Sequence, residues 1–211
     1  MNGSAGRVFV VDDDPSIRRS LERVFQRAGF DVRTFADAPE FLAARLPDAP
    51  GCLVLDLSLP GISGLDLQQQ LAARRPPLPI VFITAHGDIP TSVRAMKSGA
   101  VDFLPKPFTE PALLESVRQA IRQHQEARQR YQDQARALAK LATLTPREHE
   151  VLDLLARGML NKQIAHALGI AEQTVKVHRR SLKAKVEADS LAEIFALLTV
   201  AGVPAGRTPG S

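Results

Sequence analysis

The chain alternates between short apolar runs and longer stretches in which apolar residues recur every three or four positions. The first run, Val8–Val11, is continuous and short, which is typical of a strand buried on both faces. Further runs predict strands at Cys52–Leu55, Pro79–Ile83 and Val101–Leu104. Helical spacing separates them, as in Ile17, Leu21, Val24, Phe25 and Ala28, which Gly29 ends.

Strand and helix in alternation predict an α/β fold, with a parallel sheet and right-handed crossovers. Polar residues follow the runs: Asp12, Asp13 and Asp14 after the first, then Asp56, Thr84 and Lys106 after the others. The carboxyl ends of parallel strands meet in one crevice, so we expect these side chains to converge. A single Asp after a strand is more often a turn or helix cap. Together, carboxylates, a hydroxyl and an ammonium group suit a divalent cation and a phosphoryl group.

The last third of the chain has a different, helical pattern. Thr145, Pro146 and Glu148 form a capping-box signature before the apolar residues of a helix that Gly158 ends. A short helix, Asn161 to Leu168, precedes Gly169, and a third runs from about Glu172 to Val186. The small, turn and apolar positions of a helix-turn-helix are occupied by Ala165, Gly169 and Val175.

The third of these helices has a basic face and an apolar face. The basic residues are Lys176, Arg179, Arg180, Lys183 and Lys185, while Val175, Leu182 and Val186 face a core. This arrangement fits a helix in the major groove of DNA. Taken alone, a charged solvent-exposed face is an equally good interpretation, but the helix-turn-helix spacing favours DNA. His178 fits either a phosphate contact or packing at the helix edge.

Composition adds limits. The 211 residues suit one or two domains, and the net charge of +4 is too modest to identify a partner. Residues 118–140 hold six basic and two acidic residues, which predicts an exposed helix that extends the last helix of the α/β part from about Glu110. Cys52, the only cysteine, begins a buried strand and is interpreted as a core residue. The first six residues carry no apolar targeting core, which predicts a cytoplasmic protein without a membrane span.

Residues 7–125 resemble the receiver domain of two-component response regulators, through Asp12, Asp13, Asp56, Thr84 and the pair Lys106-Pro107. The resemblance implies a flavodoxin-like fold, a five-stranded parallel sheet of order 2-1-3-4-5. It implies Asp56 as phosphoacceptor and Mg²⁺ on Asp13, Asp56 and the Ser58 carbonyl, with Asp12 behind. Thr84, Lys106 and Phe103 are implied as the groups that sense the phosphate, Phe103 moving into space that Thr84 vacates. From the residues alone, Phe103 is more simply a static core aromatic.

Residues 143–200 resemble the LuxR-type output domain of NarL/FixJ regulators. The matching segments are Leu144–Glu148, Asn161–Ala165 and Thr174–Arg180, and the segments Thr84–Asp88 and Met96–Phe103 resemble the FixJ branch. We therefore expect a receiver at 7–125, a helical linker at 126–142, a small all-α helix-turn-helix domain at 143–203 and a disordered tail at 204–211. The resemblance implies base contacts from Lys176, Val177 and Arg180. Phosphate contacts are expected from Lys162, Thr174, Arg179, Lys183 and Lys185, and at His178 as an open alternative.

These resemblances imply a phosphorylation-controlled transcription factor. Its partners would be a sensor histidine kinase, double-stranded DNA, RNA polymerase and a second copy of the chain, which forms a homodimer on phosphorylation. The alternatives are a phosphorylation-independent DNA-binding adaptor with a degenerate receiver, and a metal-dependent hydrolase that uses Asp56 as nucleophile. The complete set of receiver residues argues against the adaptor. Against the hydrolase, no further acid or base follows a strand, and we expect no dedicated enzyme.

Two designs for regulation stay open at this level. Either the unphosphorylated receiver blocks the recognition helix, or the linker only keeps two output domains apart. Ser58 and His86, two residues beyond Asp56 and Thr84, are expected to tune the lifetime of the acyl phosphate.

Overall fold

The computed structural model describes residues 6–73, 76–85 and 89–203. The chain divides into two compact units between Gln129 and Arg130. Over the described residues the elements follow in the order β1 (Arg7–Val11), α1 (Pro15–Arg27), β2 (Asp31–Phe35), α2 (Ala38–Ala43), β3 (Gly51–Asp56), α3 (Gly64–Leu71), β4 (Ile80–Thr84), α4 (Ile89–Lys97), β5 (Asp102–Pro105), α5 (Glu110–Leu141), α6 (Pro146–Ala156), α7 (Asn161–Leu168), α8 (Glu172–Val186) and α9 (Leu191–Ala201).

The five strands form one parallel sheet of order β2-β1-β3-β4-β5, which confirms the predicted topology. In this register Val11 lies beside both Phe35 and Leu55, and Thr84 lies beside Pro105. All strands run in the same direction, so their carboxyl ends share one edge of the sheet. The polar residues that follow β1, β3, β4 and β5 are thereby brought to that edge.

Helices cover both faces of the sheet. On one face Phe41 of α2, Leu67 of α3 and Ala95 of α4 pack in one buried cluster. On the other face Phe25 of α1 and Val117 of α5 belong to a second cluster. The inner strands β1, β3 and β4 are buried almost throughout, whereas β5 is half-buried because it is an edge strand paired with β4.

The second unit contains the predicted helix-turn-helix. The capping box is present, with Glu148 and Thr145 bonded reciprocally at the start of α6. Gly169 ends α7 in the left-handed region, with φ at 63°, which leads the chain into α8. Val151, Ile164 and Val175 pack the three helices together, while Leu182 of α8 belongs to a neighbouring cluster with α9.

Helix α5 is 32 residues long. It confirms the expected extension from Glu110, and it continues through most of the predicted linker, residues 126–142. Its end is not a free connector, because Ala137 and Leu141 are buried in the cluster that holds Leu152 and Leu182. The boundaries at 125, 142 and 203 stay predictions, and residues 204–211 lie outside the described part of the chain. No helix in the described ranges is both long enough and apolar enough to span a bilayer.

Candidate functional site

Three carboxylates meet at the carboxyl edge of the sheet. Asp12 and Asp13 follow β1, and Asp56 ends β3. Asp12 is fully buried, Asp56 is nearly so and Asp13 is exposed. One oxygen from each of the three lies within 4.8 Å of the others. Such a group of hard oxygen atoms, partly open to solvent, fits a divalent cation such as Mg²⁺.

The Lys106 ammonium group, just beyond β5, joins two of these acids. Its Nζ lies 2.9 Å from Asp12 Oδ2 and 2.7 Å from Asp56 Oδ2. Burial alone would lower the pKa of Lys106, but the hydrogen bonds to Asp56 and Asp12 outweigh it and hold that pKa above its ordinary value. Burial also raises the pKa of the Asp12 carboxyl, which the bonds from Lys106 and the Asp14 N–H oppose. One ammonium group thus lies at a cluster of three carboxyl groups, so negative charge remains there for a bound cation to offset.

Both carboxylate oxygens of Asp56 accept hydrogen bonds from neighbouring groups. Oδ1 accepts a hydrogen bond from the Ser58 N–H at 2.9 Å, while Oδ2 binds Lys106. The start of α3 comes very close, since a Cβ at Gly64 would lie 2.9 Å from the Asp56 carbonyl oxygen. Glycine is therefore required for α3 to pack against the loop that follows Asp56.

Thr84 and Phe103 lie on the neighbouring strands β4 and β5. Thr84 is fully buried, and its carbonyl oxygen accepts a 2.7 Å bond from the Lys106 N–H. Phe103 is half-buried, opposite Phe82 in the register, with 6.3 Å between the ring centroids. Their roles as switch residues stay predictions. His86, expected to tune the phosphate, lies outside the described residues, as does Asp88.

Asp14 and Arg18 complete the turn from β1 into α1. Asp14 is the N-cap of α1, its carboxylate accepting bonds from the N–H and hydroxyl of Ser16. These bonds lower its pKa. Arg18, which the sequence analysis did not single out, donates from Nη1 to the carbonyl oxygens of Asp12 and Asp13. Only its position one turn after Asp14 could have indicated this contact.

A second candidate surface lies on the outer face of α8. The side chains of Thr174, Lys176, Val177 and Arg180 are exposed, and so is that of Lys162 on α7. Val177 is 59% exposed, so its methyl groups are accessible to a partner. Lys176 lies only loosely against Glu172, at 3.7 Å. His178 is half-buried.

The other basic residues of α8 make contacts within the protein, and the phosphate contacts expected of them stay predictions. Lys185 lies 2.6 Å from the buried carboxylate of Glu148. Arg179 donates to Asn161 Oδ1, and Lys183 donates to the Asp189 carbonyl oxygen. These three side chains therefore help to hold the helices in place.

Glu148 is the centre of this polar network. Its side chain accepts bonds from Lys185, Ser181 and Thr145. Burial alone would raise the pKa of Glu148, but these bonds outweigh it and lower the pKa to about 2. Glu148 is therefore charged at neutral pH and ties α6 to α8. Its capping signature was visible in the sequence, but its partners on α8 were not.

Comparison with protein families gives one match for each unit. Residues 8–118 match the response regulator receiver domain. Residues 142–198 match the bacterial regulatory proteins of the luxR family. The two matches together leave only the chain ends and residues 119–141, the later part of α5, unmatched.

Similar proteins include regulators with the same organisation. The chain is 47% identical to nodulation protein W of Bradyrhizobium diazoefficiens over 95% of this chain and 88% of that protein. It is 41% identical to the transcriptional regulatory protein FixJ of Azorhizobium caulinodans, over 93% of each. Among solved structures, the response regulator StyR is 52% identical with a TM-score of 0.83, over 92% of this chain and 98% of that one. Full-length FixJ from B. japonicum is 39% identical with a TM-score of 0.58, over 95% and 98%.

Proposed function

The chain belongs to the two-component response regulators that join a receiver domain to a LuxR-type DNA-binding domain, and we propose that phosphorylation of Asp56 controls its binding to promoters. The observation that supports this most directly is the Lys106 ammonium group bound to both Asp12 and Asp56 at the sheet edge. That geometry suits a site in which charge accumulates on an added phosphoryl group.

In the proposed reaction an Asp56 oxygen attacks the phosphorus atom of a phosphohistidine on a sensor kinase. The new P–O bond forms as the P–N bond breaks, and the imidazole leaves with the electron pair and takes a proton. Lys106 holds the carboxylate and then offsets charge on the phosphoryl oxygens. The receiver takes part in phosphotransfer and autodephosphorylation, while the family is one of transcriptional regulators.

Asp12, Asp13 and Asp56, with the Ser58 carbonyl, are the residues we propose to hold Mg²⁺. When bound, the cation would supply positive charge that offsets the oxygens of the transferring group. Asp13 is the exposed member and so the one most accessible to a hydrated ion, whereas Asp12 is turned toward Lys106.

A groove of about 570 Å³ borders Lys106 and supports a docking place for the kinase. Its lining is mainly apolar, with Ile17, Leu21 and Val24 from α1 facing Phe108 and Leu113. A kinase that delivers a phosphoryl group to Asp56 must cover this rim of the sheet. We therefore propose that α1 and the segment after β5 form part of the kinase contact.

Switching would then proceed through Thr84 and Phe103 to α4. The Thr84 hydroxyl donates to the phosphoryl group, and Phe103 turns toward the space that Thr84 leaves. Helix α4 exposes Ile89, Val93 and Met96, at 79%, 43% and 44%, along one side. We propose that this surface pairs two receivers after phosphorylation, because exposed apolar side chains at helical spacing suit a partner helix.

On DNA, Lys176 and Arg180 lie one turn apart and would reach guanine O6 and N7, while Val177 would meet a thymine methyl group. Thr174 and Lys162, which are exposed, would contact phosphates, and His178 remains an alternative. A dimer implies a two-fold-related operator, and regulation there implies contact with RNA polymerase. A regulator of promoters acts where the chromosome is, so we propose a cytoplasmic location.

The phosphorylation step is tested with radiolabelled acetyl phosphate or with a radiolabelled sensor histidine kinase. Asp56→Asn should lose the acid-stable, base-labile label. The control variant Asp66→Asn, which removes an exposed acid on α3, should keep it. Label at the wild-type level in Asp56→Asn excludes Asp56 as acceptor. If the DNA affinity of the wild-type chain does not change on phosphorylation, the phosphorylation-independent adaptor would be favoured instead.

The DNA interface is tested by titrating operator and random duplexes at several salt concentrations. Arg180→Ala should cost about 1–3 kcal/mol on the operator and relax preference at one base pair per half-site. Lys162→Ala should weaken both duplexes alike and reduce the salt dependence by about one unit of slope. Equal losses on both duplexes for Arg180→Ala would show that Arg180 binds only the DNA backbone.

A further inference from the structure

The backbone carbonyls of the acidic run converge on a single side chain. The ladder of β1 ends at Val11, so the carbonyl oxygens of Asp12 and Asp13 lie beyond the sheet. Arg18 Nη1 donates to both, at 2.7 Å and 3.0 Å. The Arg18 N–H also donates to the Asp14 carbonyl oxygen at 3.0 Å. One residue of α1 thus binds the carbonyls of three consecutive acids.

Asp13 depends on this backbone contact more than the other two acids of the cluster do. Asp12 is bound by Lys106 and by the Asp14 N–H, and Asp56 by Lys106 and the Ser58 N–H. In the described ranges, by contrast, the carboxylate of Asp13 has no hydrogen bond or ion pair. The direction of its side chain is therefore set by its main chain, which Arg18 holds.

We propose that Arg18 is a positioning residue that sets the affinity of the acidic cluster for Mg²⁺ by fixing the backbone of Asp12 and Asp13. The proposal rests on the function proposed above and adds a residue that touches neither the metal nor the phosphoryl group. Outer-sphere groups that orient metal ligands commonly change metal affinity by about 10–100-fold.

Two effects of Arg18 act in opposite directions, and this makes the proposal testable. Its positive charge near the carboxylates opposes the binding of a cation, whereas its hydrogen bonds hold the ligands in place. If charge dominated, removal of Arg18 would tighten Mg²⁺ binding. If positioning dominates, as we infer, removal weakens it, because Asp13 must be ordered when the cation binds.

The test is calorimetric titration of the unphosphorylated full-length chain with Mg²⁺. Arg18→Met should raise the dissociation constant about tenfold. The matched control is Arg19→Met, which removes a neighbouring exposed arginine with the same charge. It should leave the affinity unchanged or slightly tighter. Arg18→Lys keeps the charge but alters the donor geometry, so it should fall between wild type and Arg18→Met.

A second readout separates positioning from general damage. Phosphorylation by acetyl phosphate, followed as a function of Mg²⁺, should need more Mg²⁺ for half-maximal rate in Arg18→Met and approach the wild-type rate at saturation. Affinity equal to or tighter than wild type in Arg18→Met overturns the proposal. If that variant does not fold by circular dichroism, wild-type affinity in Arg18→Lys overturns it instead. Absence of Mg²⁺ binding by the wild-type chain would refute the proposed metal site itself.

Discussion

At the scale of single residues, the Lys106 ammonium group balances the carboxylates of Asp12 and Asp56 in the candidate site. The Lys106 side chain is 19% exposed and that of Asp12 is 1% exposed, so their ion pair is only weakly screened by solvent. Removal of the ammonium group leaves a buried carboxylate without its partner. A divalent cation at the acidic cluster can replace part of that lost charge.

Lys106→Met should therefore lower the free energy of unfolding by about 3–5 kcal/mol without divalent cations. Mg²⁺ should restore more stability to this variant than it adds to wild type, since it meets more uncompensated charge. Urea unfolding of the full chain with EDTA or Mg²⁺ measures both, by methyl signals of Val81 or Leu113 in the receiver core. An equal loss with and without Mg²⁺ would contradict the idea that the two cations balance the same acids.

Glu148 is the corresponding charged residue of the second unit. Its pKa in the folded chain is about 2, against an ordinary value of 4.5. The unfolded chain thus binds more protons between these values, so the stability that Glu148 contributes is complete above about pH 4.5 and is lost as pH falls toward 2.

Glu148→Gln should destabilise the second unit at neutral pH by about 2–3 kcal/mol, because Lys185 and Ser181 lose a charged acceptor. The variant should also show a flatter loss of stability below about pH 4.5 than wild type. The measurement is a urea titration at several pH values, read from the methyl signals of Leu182. Glu150→Gln, an exposed residue on the same helix, is the control. If both variants behave alike, the network around Glu148 contributes nothing specific.

At the scale of elements, helices of the receiver are joined by polar side chains as well as by apolar packing. Gln68 of α3 is 5% exposed, and its amide nitrogen donates to the Ala95 and Ser98 carbonyl oxygens at the end of α4. Gln68 is one helical turn after Gly64, which packs on the Asp56 loop. Helix α3 therefore connects the acceptor site with the carboxyl end of α4.

Gln68→Leu should leave these carbonyl oxygens without a donor and lower stability by about 1–2 kcal/mol. We expect amide hydrogen exchange to become faster in the last turn of α4, with little change in α1. Mass spectrometry of peptides covering α4 and α1 provides the measurement. The neighbouring exposed glutamine, as Gln69→Leu, should have no effect. Unchanged exchange in α4 would show that apolar packing alone holds that helix.

At the scale of the whole molecule, α5 contributes to both units. Its first half packs Val117 and Ile121 against the sheet, and its last turns bury Ala137 and Leu141 with the second unit. A fragment that begins at the predicted boundary, residue 143, would therefore lack part of its own core. A fragment that begins at residue 130 would retain it.

The fragment of residues 130–211 should fold and be more stable than residues 143–211 by about 2–5 kcal/mol, since the shorter one opens a cavity where Leu141 packs. Thermal unfolding followed by circular dichroism compares them. Equal stability would mean that the end of α5 adds nothing to the second unit.

The longer fragment can then separate the two designs for regulation. Operator binding tighter than that of the unphosphorylated full chain favours inhibition by the receiver, and binding no tighter favours dimerisation alone.

The strand order was expected from the family resemblance. The sequence by itself determined the α/β class of the first unit and the meeting of Asp12, Asp56 and Lys106. This was possible because apolar runs identify buried strands, and parallel strands bring their following residues to one edge. The cap at Thr145 was equally readable, since capping involves residues within three or four positions of one another.

Only the tertiary structure decided which charged side chains form hydrogen bonds to other residues of the protein. On α8, Lys185 bonds a carboxylate 37 residues away, and Arg179 bonds an amide oxygen 18 residues away. In sequence both look the same as Lys176 and Arg180, which stay exposed. The contact of Gln68 with α4 spans 27 to 30 residues in the same way. Such pairings depend on how helix faces pack against each other, and helical periodicity alone does not specify the partner that a polar side chain meets.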